Sequence, residues 1–179
     1  MKPLYLAAIL LFFGFISVPL RRVLLPDSDF IQDRSKNDKI QKDPPCLTMF
    51  SCIEKYSSEY KVPLRYALGI AYEETRYEGP FDWDYDHRKT STAGALGPMQ
   101  IMPGTAKWIW DDMKISKEKI LVDIDFNVKT SMKLLRHLYS KYKDWKIVFG
   151  YYNTGRPCVN SYAEKVYNFK PNKNEVSLN

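Results

Sequence analysis

Cysteine, histidine and glycine are scarce in this sequence: three, two and eight among 179 residues. Three cysteines exclude a disulfide-dense mini-domain. The histidines, His87 and His137, belong to no His/Asp/Cys cluster with metal-ligand spacing, so no metal is expected and both read as packing or solvated residues. Nothing calls for another cofactor. No cysteine has a basic partner near it in sequence, which argues against a thiol nucleophile. Strict apolar–polar alternation never runs beyond four residues, which excludes a large sheet, and no internal repeat is present. The overall balance also excludes collagen-like, low-complexity and wholly disordered chains.

What is abundant is aromatic: 15% of the chain, with thirteen Tyr and four Trp. Such side chains serve equally as core filler or as surfaces that stack on an amphipathic partner such as a sugar ring or a base. The formal charge of +6 favours an anionic partner, whether nucleic acid, acidic lipid or cell-wall polymer. No basic recognition helix supports nucleic acid.

The chain divides into an N-terminal segment, a linker, a domain and a tail. Pro3 to Leu20 carry no charge and are mostly apolar. As a helix they span about 27 Å, close to a bilayer core. Arg21 and Arg22 can snorkel, extending the segment through Leu25. Residues 1–25 therefore read as a membrane anchor or a signal. No small-x-small site ends the run and Pro19 lies where one would fall, which favours a retained transmembrane helix. Lys2 on one side and two arginines on the other leave the orientation open. Residues 26–45 hold nine charged positions in twenty and read as a polar linker. A domain over 46–169 and a polar tail over 170–179 complete the chain.

The domain reads as all-α, with at most a minor hairpin. Phe50, Ile53, Ser57 and Tyr60 keep helical spacing, with Ser51 and Glu54 placed as a capping box. Pro63 opens a helix whose apolar face is Leu64, Ala67, Leu68, Ile70 and Ala71. Ala106, Ile109, Trp110 and Met113 form a third, with Thr105 as its cap. Val128, Met132, Leu135, Tyr139 and Tyr142 form a long fourth, capped by Asp125. Val148, Phe149 and Tyr152 mark a fifth, ended by Gly155 in a left-handed cap, and Tyr162 to Val166 a sixth. Cys46 and Cys52 are close enough for a local disulfide in an oxidising compartment, with Cys158 able to compete for either.

The stripe Ala67, Ile70, Ala71 continues at i+3 onto Glu74. A carboxyl on that face is desolvated, which raises its pKa and suits a general acid. Glu73 points about 100° away on the same helix and is peripheral. Downstream, Gly94 to Ala106 reads GALGPMQIMPGTA, and Tyr152 to Gly155 reads YNTG. In order, these pieces resemble the SLT-type lytic transglycosylases, the goose-lysozyme-like branch of the lysozyme-like superfamily: Glu-Ser ending an Ala/Ile-rich helix, GA-x-G-L-M-Q-x-x-P-x-T-A, and a late Y-N-x-G. Asn127 and Tyr162 to Val166 also fit, so the resemblance spans residues 47–168.

The resemblance implies that Glu74 is the sole acid/base, cleaving between N-acetylmuramic acid and N-acetylglucosamine to leave 1,6-anhydromuramoyl ends. It implies substrate contacts at Thr75, Met99, Gln100, Tyr152 and Asn153. Pro98 departs from the family Leu and stiffens the loop. The stretch between Glu74 and Gly94 is longer than usual and holds Asp82, Asp84 and Asp86. One of these could activate water, as in goose-type lysozymes, and make the enzyme a hydrolase. Trp83 and Tyr85 beside them could form a sugar-stacking lip. A non-catalytic glycan-binding module of an envelope or virion complex is the alternative from another class. The implied partner is peptidoglycan, with the membrane engaged by the N-terminal helix and no nucleic acid. The implied location is the cell-wall side of a membrane, periplasmic or extracellular, or a virion membrane. A secretion system, conjugation system or phage is the kind of assembly such an enzyme serves.

Overall fold

The computed structural model describes residues 43–171. The expected anchor over 1–25, nearly all of the linker and residues 172–179 lie outside it. Among the described residues no helix is long and apolar enough to cross a membrane.

Those residues form seven helices: α1 Pro45–Tyr60, α2 Leu64–Thr75, α3 Pro103–Trp110, α4 Lys117–Val122, α5 Ile124–Tyr142, α6 Trp145–Thr154 and α7 Ser161–Tyr167. The expectation of a helical domain holds. Its only extended pairing is a pair of isolated bridges, Thr90 with Leu96 and Leu96 with Ile101. α5 is the central strut: α1 lies along it, α6, α4 and α3 pack on it, and α7 is held against α6 and α2. Phe50, Ile53, Ile70, Met132, Leu135 and Phe149 meet in the core with 1% or less of their surface exposed. Each such side chain contributes roughly 1.5–3 kcal/mol.

Helix ends depart from the sequence reading in instructive ways. α1 begins at Pro45 behind Pro44, with no side-chain cap, so Ser51 and Glu54 lie inside the helix and form no capping box. Proline's preset φ and missing N–H start the helix without one. α3 likewise starts at Pro103 behind Met102, leaving Thr105 in the helix, not at its cap. It ends at Trp110, because Asp111 turns left-handed at φ 51°. Met113 therefore falls outside it and is 76% exposed. The cap of α5 is Asp123, accepting from the Phe126 N–H at 3.0 Å, not Asp125. Asp125 sits in the first turn and accepts from the Tyr56 hydroxyl at 2.7 Å. Helix α4, capped by Ser116, is too short to show periodicity.

The three cysteines are free. Cys46 and Cys52 are both buried on α1. Six residues along one helix separate them by about 9 Å of rise, beyond disulfide reach.

Candidate active site

Glu74 occupies the last turn of α2, which Arg76 terminates in a left-handed conformation at φ 60°. The helix carries Ala67, Ile70 and Ala71 into the core fully buried, and this face brings Glu74 into the protein. Burial raises the Glu74 pKa from 4.5 to about 7, opposed by a hydrogen bond from Tyr162 and reinforced by the negative charge of Glu73. The Tyr162 hydroxyl, at the start of α7, donates to Glu74 Oε1 at 2.6 Å. Glu73 itself faces Lys165 at 3.5 Å and Arg76 at 3.8 Å.

Tyr152, on α6, completes the cluster. Its hydroxyl donates to the Met99 carbonyl at 2.7 Å and lies 2.9 Å from Ser131 Oγ on α5. Burial and the charge of Glu74 push both Tyr152 and Tyr162 above the usual phenol range, so both remain neutral donors at physiological pH.

The loop facing Glu74 is tied down from several sides. Thr75 Oγ1 lies 3.0 Å from the Pro98 carbonyl and 2.9 Å from the Tyr85 hydroxyl. Lys89 Nζ donates to the Thr75 carbonyl at 2.8 Å. Asn127, fully buried on α5, accepts from the Met99 N–H and donates to the carbonyls of Leu96 and Ile120. Gly97 has φ 74°, and a Cβ there would meet Asn127 Nδ2 at 2.5 Å, so the tight loop requires glycine. Gln100 is left-handed at φ 48°, and its amide donates to the Gly97 and Lys89 carbonyls.

Several expected site residues therefore act through structure. Thr75 is 2% exposed and locks α2 to the loop. The Met99 side chain is fully buried, so a substrate contact through it is corrected: Met99 serves the site by its backbone. Gln100 braces its own loop. Asn153 is exposed on α6, and its Oδ1 accepts from Asn160, the cap of α7. Tyr85 is also corrected: 6% exposed and packed edge-on against Tyr77 at 4.9 Å, it is no stacking lip. Trp83 is exposed beside Phe81. Asp84 and Asp86 lie at the surface and Asp82 is half-buried. The groups that shift Glu74 are its burial, Tyr162 and Glu73, whereas the charges of Asp82 and Asp86 fall on Tyr85.

Tyr162 carries a role that its sequence position did not disclose, being 88 residues from Glu74. Its one signal was placement in the family's final helix. A groove of about 320 Å³ adjoins Tyr152 and is lined by Met102, Thr105, Trp108, Tyr151 and Asn153 among others. A larger cavity of about 690 Å³, lined by Thr48, His87, Arg88 and Asp125, shares no residue with this cluster. Among the described residues no His, Cys, Asp and Glu group is arranged to hold a metal ion.

A carboxyl with a pKa near 7, held by a neutral phenol, can give a proton and take one back at neutral pH. A family model described as the Transglycosylase SLT domain matches residues 51–175. No curated protein matches the chain. Among solved structures, the 70 kDa soluble lytic transglycosylase of Escherichia coli is 26% identical, with a TM-score of 0.49 over 65% of this chain and 18% of that one. The same figures hold for that enzyme's complex with bulgecin A. An inactive mutant of the lytic transglycosylase Slt from Pseudomonas aeruginosa is 20% identical, with a TM-score of 0.48 over 59% of this chain and 16% of that one. The chain thus spans less than a fifth of the length of either enzyme. With most of its length matched by the family model, the chain belongs to the Transglycosylase SLT domain family.

Proposed function

We propose that the protein is a peptidoglycan lytic transglycosylase in which Glu74 is the single acid and base. Protonated Glu74 gives its proton to the glycosidic oxygen between N-acetylmuramic acid and N-acetylglucosamine as the C1–O bond breaks. The resulting carboxylate takes the proton of the muramoyl C6 hydroxyl. O6 then closes on C1, giving a 1,6-anhydro ring and returning Glu74 to its acid form. The 2-acetamido group assists at C1, so no protein nucleophile is needed. Tyr162 orients the carboxyl through its 2.6 Å bond. Tyr152 and Asn127 fix the loop that faces it.

The observation that carries this reading is a carboxyl raised to about 7 whose one interacting carboxylate, Glu73, is engaged by Lys165 and Arg76. A two-carboxylate hydrolase needs a partner roughly 5–9.5 Å away, free to act on water or carbon. The uncharged stretch from Pro3 to Leu20 supports a membrane-held enzyme working on the wall side, where it would open peptidoglycan locally for a secretion, conjugation or phage assembly.

Digestion of purified peptidoglycan in oxygen-labelled water tests the proposal. The expected products are 1,6-anhydromuramoyl ends without label, lost by at least about 100-fold in Glu74→Gln. Labelled reducing ends would establish a hydrolase instead, and an active Glu74→Gln variant would remove Glu74 from its role. Retention of the full chain in membranes through an alkaline wash is the accompanying readout for the anchor.

A further inference from the structure

The outer face of α5 carries a basic stripe. Lys129, Lys133, Arg136, Ser140 and the C-cap Lys143 follow one another at steps of four and three residues. That spacing keeps them on one side of the helix over about 21 Å. From Phe126 to Lys143 the chain holds no acidic residue. Arg136, Ser140 and Lys143 are exposed, and Lys129 and Lys133 are half-buried. Lys55, Lys146 and Lys165 lie 3.7, 2.9 and 3.5 Å from a carboxylate, whereas among the described residues none of the stripe's cations has such a partner.

Aromatic rings take the place of those carboxylates. Lys133 Nζ lies 3.9 Å from the centre of the Trp110 ring, and Lys129 Nζ lies 5.4 Å from that of Tyr56. Trp110 stacks on Phe126 at 6.0 Å, and Lys119 of α4 lies over Phe126 at 4.6 Å. A ring face holds an ammonium without neutralising it, so the cation stays open to an incoming anion. The lysine stems cover apolar surface and carry their charge outward. Two exposed apolar side chains belong to the neighbouring elements: Met113, three residues beyond Trp110, and Val122, one turn from Lys119 on α4. The acidic residues of that region, Asp111, Asp112 and Glu118, lie on α4 and the connection before it, not on the stripe.

We infer that the stripe of Lys129, Lys133, Arg136 and Lys143 docks the domain on a bilayer of acidic lipid, with α5 lying along the headgroups. Each basic side chain at such a surface strengthens binding roughly fivefold, so four of them make a firm, salt-sensitive contact. A bilayer also offers an apolar layer to Met113 and Val122, which duplex DNA and phosphate polymers do not. The uncharged stretch from Pro3 to Leu20, read as an anchor, makes a bilayer the acidic surface at hand. Leu134, which lines the groove beside Tyr152, follows Lys133 directly and so points about 100° away from it. The docked face and the groove therefore do not coincide, and a chain lying on the membrane keeps the groove open. The inference goes beyond the glycan-cleaving reading and does not depend on it.

The full chain is reconstituted into nanodiscs of phosphatidylcholine, alone or with about one-third phosphatidylglycerol, and the reactivity of each lysine toward an amine reagent is read by mass spectrometry. Acidic discs are expected to protect Lys129, Lys133 and Lys143 about fivefold relative to neutral discs, and about 0.5 M NaCl to remove the protection. Lys146 and Lys165, each beside a carboxylate, are the internal controls and keep their reactivity. Lys133→Glu combined with Arg136→Glu is expected to abolish protection at Lys129 and Lys143. Equal reactivity in the two discs overturns the inference, and this comparison uses the unaltered protein, so it decides even where the double variant folds poorly. Protection spread evenly over the controls, or unmoved in a folded double variant, overturns it too. Soluble polyphosphate or duplex DNA that shields the same lysines in neutral discs as strongly as acidic lipid does overturns it in favour of a polymer. A chain that washes out of neutral discs has no anchor, and the same labelling on vesicles of the two compositions then decides the stripe. None of these readouts involves cleavage, so failure of the lytic reading is seen separately, in the peptidoglycan digest.

Discussion

Two opposing influences meet on the Glu74 carboxyl. Burial favours the acid, and the Tyr162 hydroxyl, donating at 2.6 Å, favours the carboxylate; burial wins and the pKa rests near 7. In the proposed role of general acid Glu74 must start protonated, so activity is expected to decline as pH rises through that value. Tyr162→Phe removes the bond that holds the pKa down. The alkaline limb of the pH–rate profile is therefore expected to move to higher pH, while kcat falls about tenfold as the carboxyl loses its orientation. A profile whose limb stays in place would show that Tyr162 does not act through Glu74. Glu74 was legible in the sequence, because i+3 spacing from Ala71 is a local property. Tyr162 was legible only as a helix residue, since its approach to Glu74 depends on how α7 returns over α2.

At the scale of elements, the site depends on a loop without regular structure being held as rigidly as a helix. Asn127 does much of this: its one amide satisfies the Met99 N–H and the carbonyls of Leu96 and Ile120, joining α5, the loop and α4. Asn127→Ala orphans the Met99 N–H and strips the Ile120 carbonyl of the side-chain donor, in a buried interior, at roughly 1–3 kcal/mol each before relaxation, whereas the Leu96 carbonyl keeps the Ile101 N–H. A loss of about 3–5 kcal/mol is expected from urea unfolding. Asn127→Asp should lose a similar amount, because it keeps the bond to Met99 but sets an acceptor against two carbonyls. A loss below about 1 kcal/mol in both variants would remove Asn127 from this role. The sequence showed that the loop is tight, through Gly94 and Gly97, but not what grips it. The misplaced caps have a related cause: Ser51, Thr105 and Asp125 are all chemically able to cap, yet a proline start or a better-placed Asp123 took each position.

For the whole molecule, the fold stores an instability in the residue proposed as its acid and base. Helical periodicity disclosed six of the seven helices and the face that buries Glu74. It could not show that burial also sets the protein's response to pH. A glutamate in the unfolded chain loses its proton near pH 4.5, whereas folded Glu74 holds it to about 7. Below pH 4.5 both states are protonated and nothing is lost. Between 4.5 and 7 the unfolded state ionises first, and the folded state falls behind. Above 7 the handicap is complete, at about 3 kcal/mol. Glu74→Gln removes the titration while keeping a carbonyl that accepts from Tyr162. The variant is therefore expected to melt about 5–10 °C above the parent at pH 8. That advantage should shrink steadily toward pH 4.5, where the two should coincide. Thermal unfolding followed across this range measures the difference directly. A gain independent of pH would mean that Glu74 is not held protonated by the fold, and with it would go the physical basis for its use as the acid.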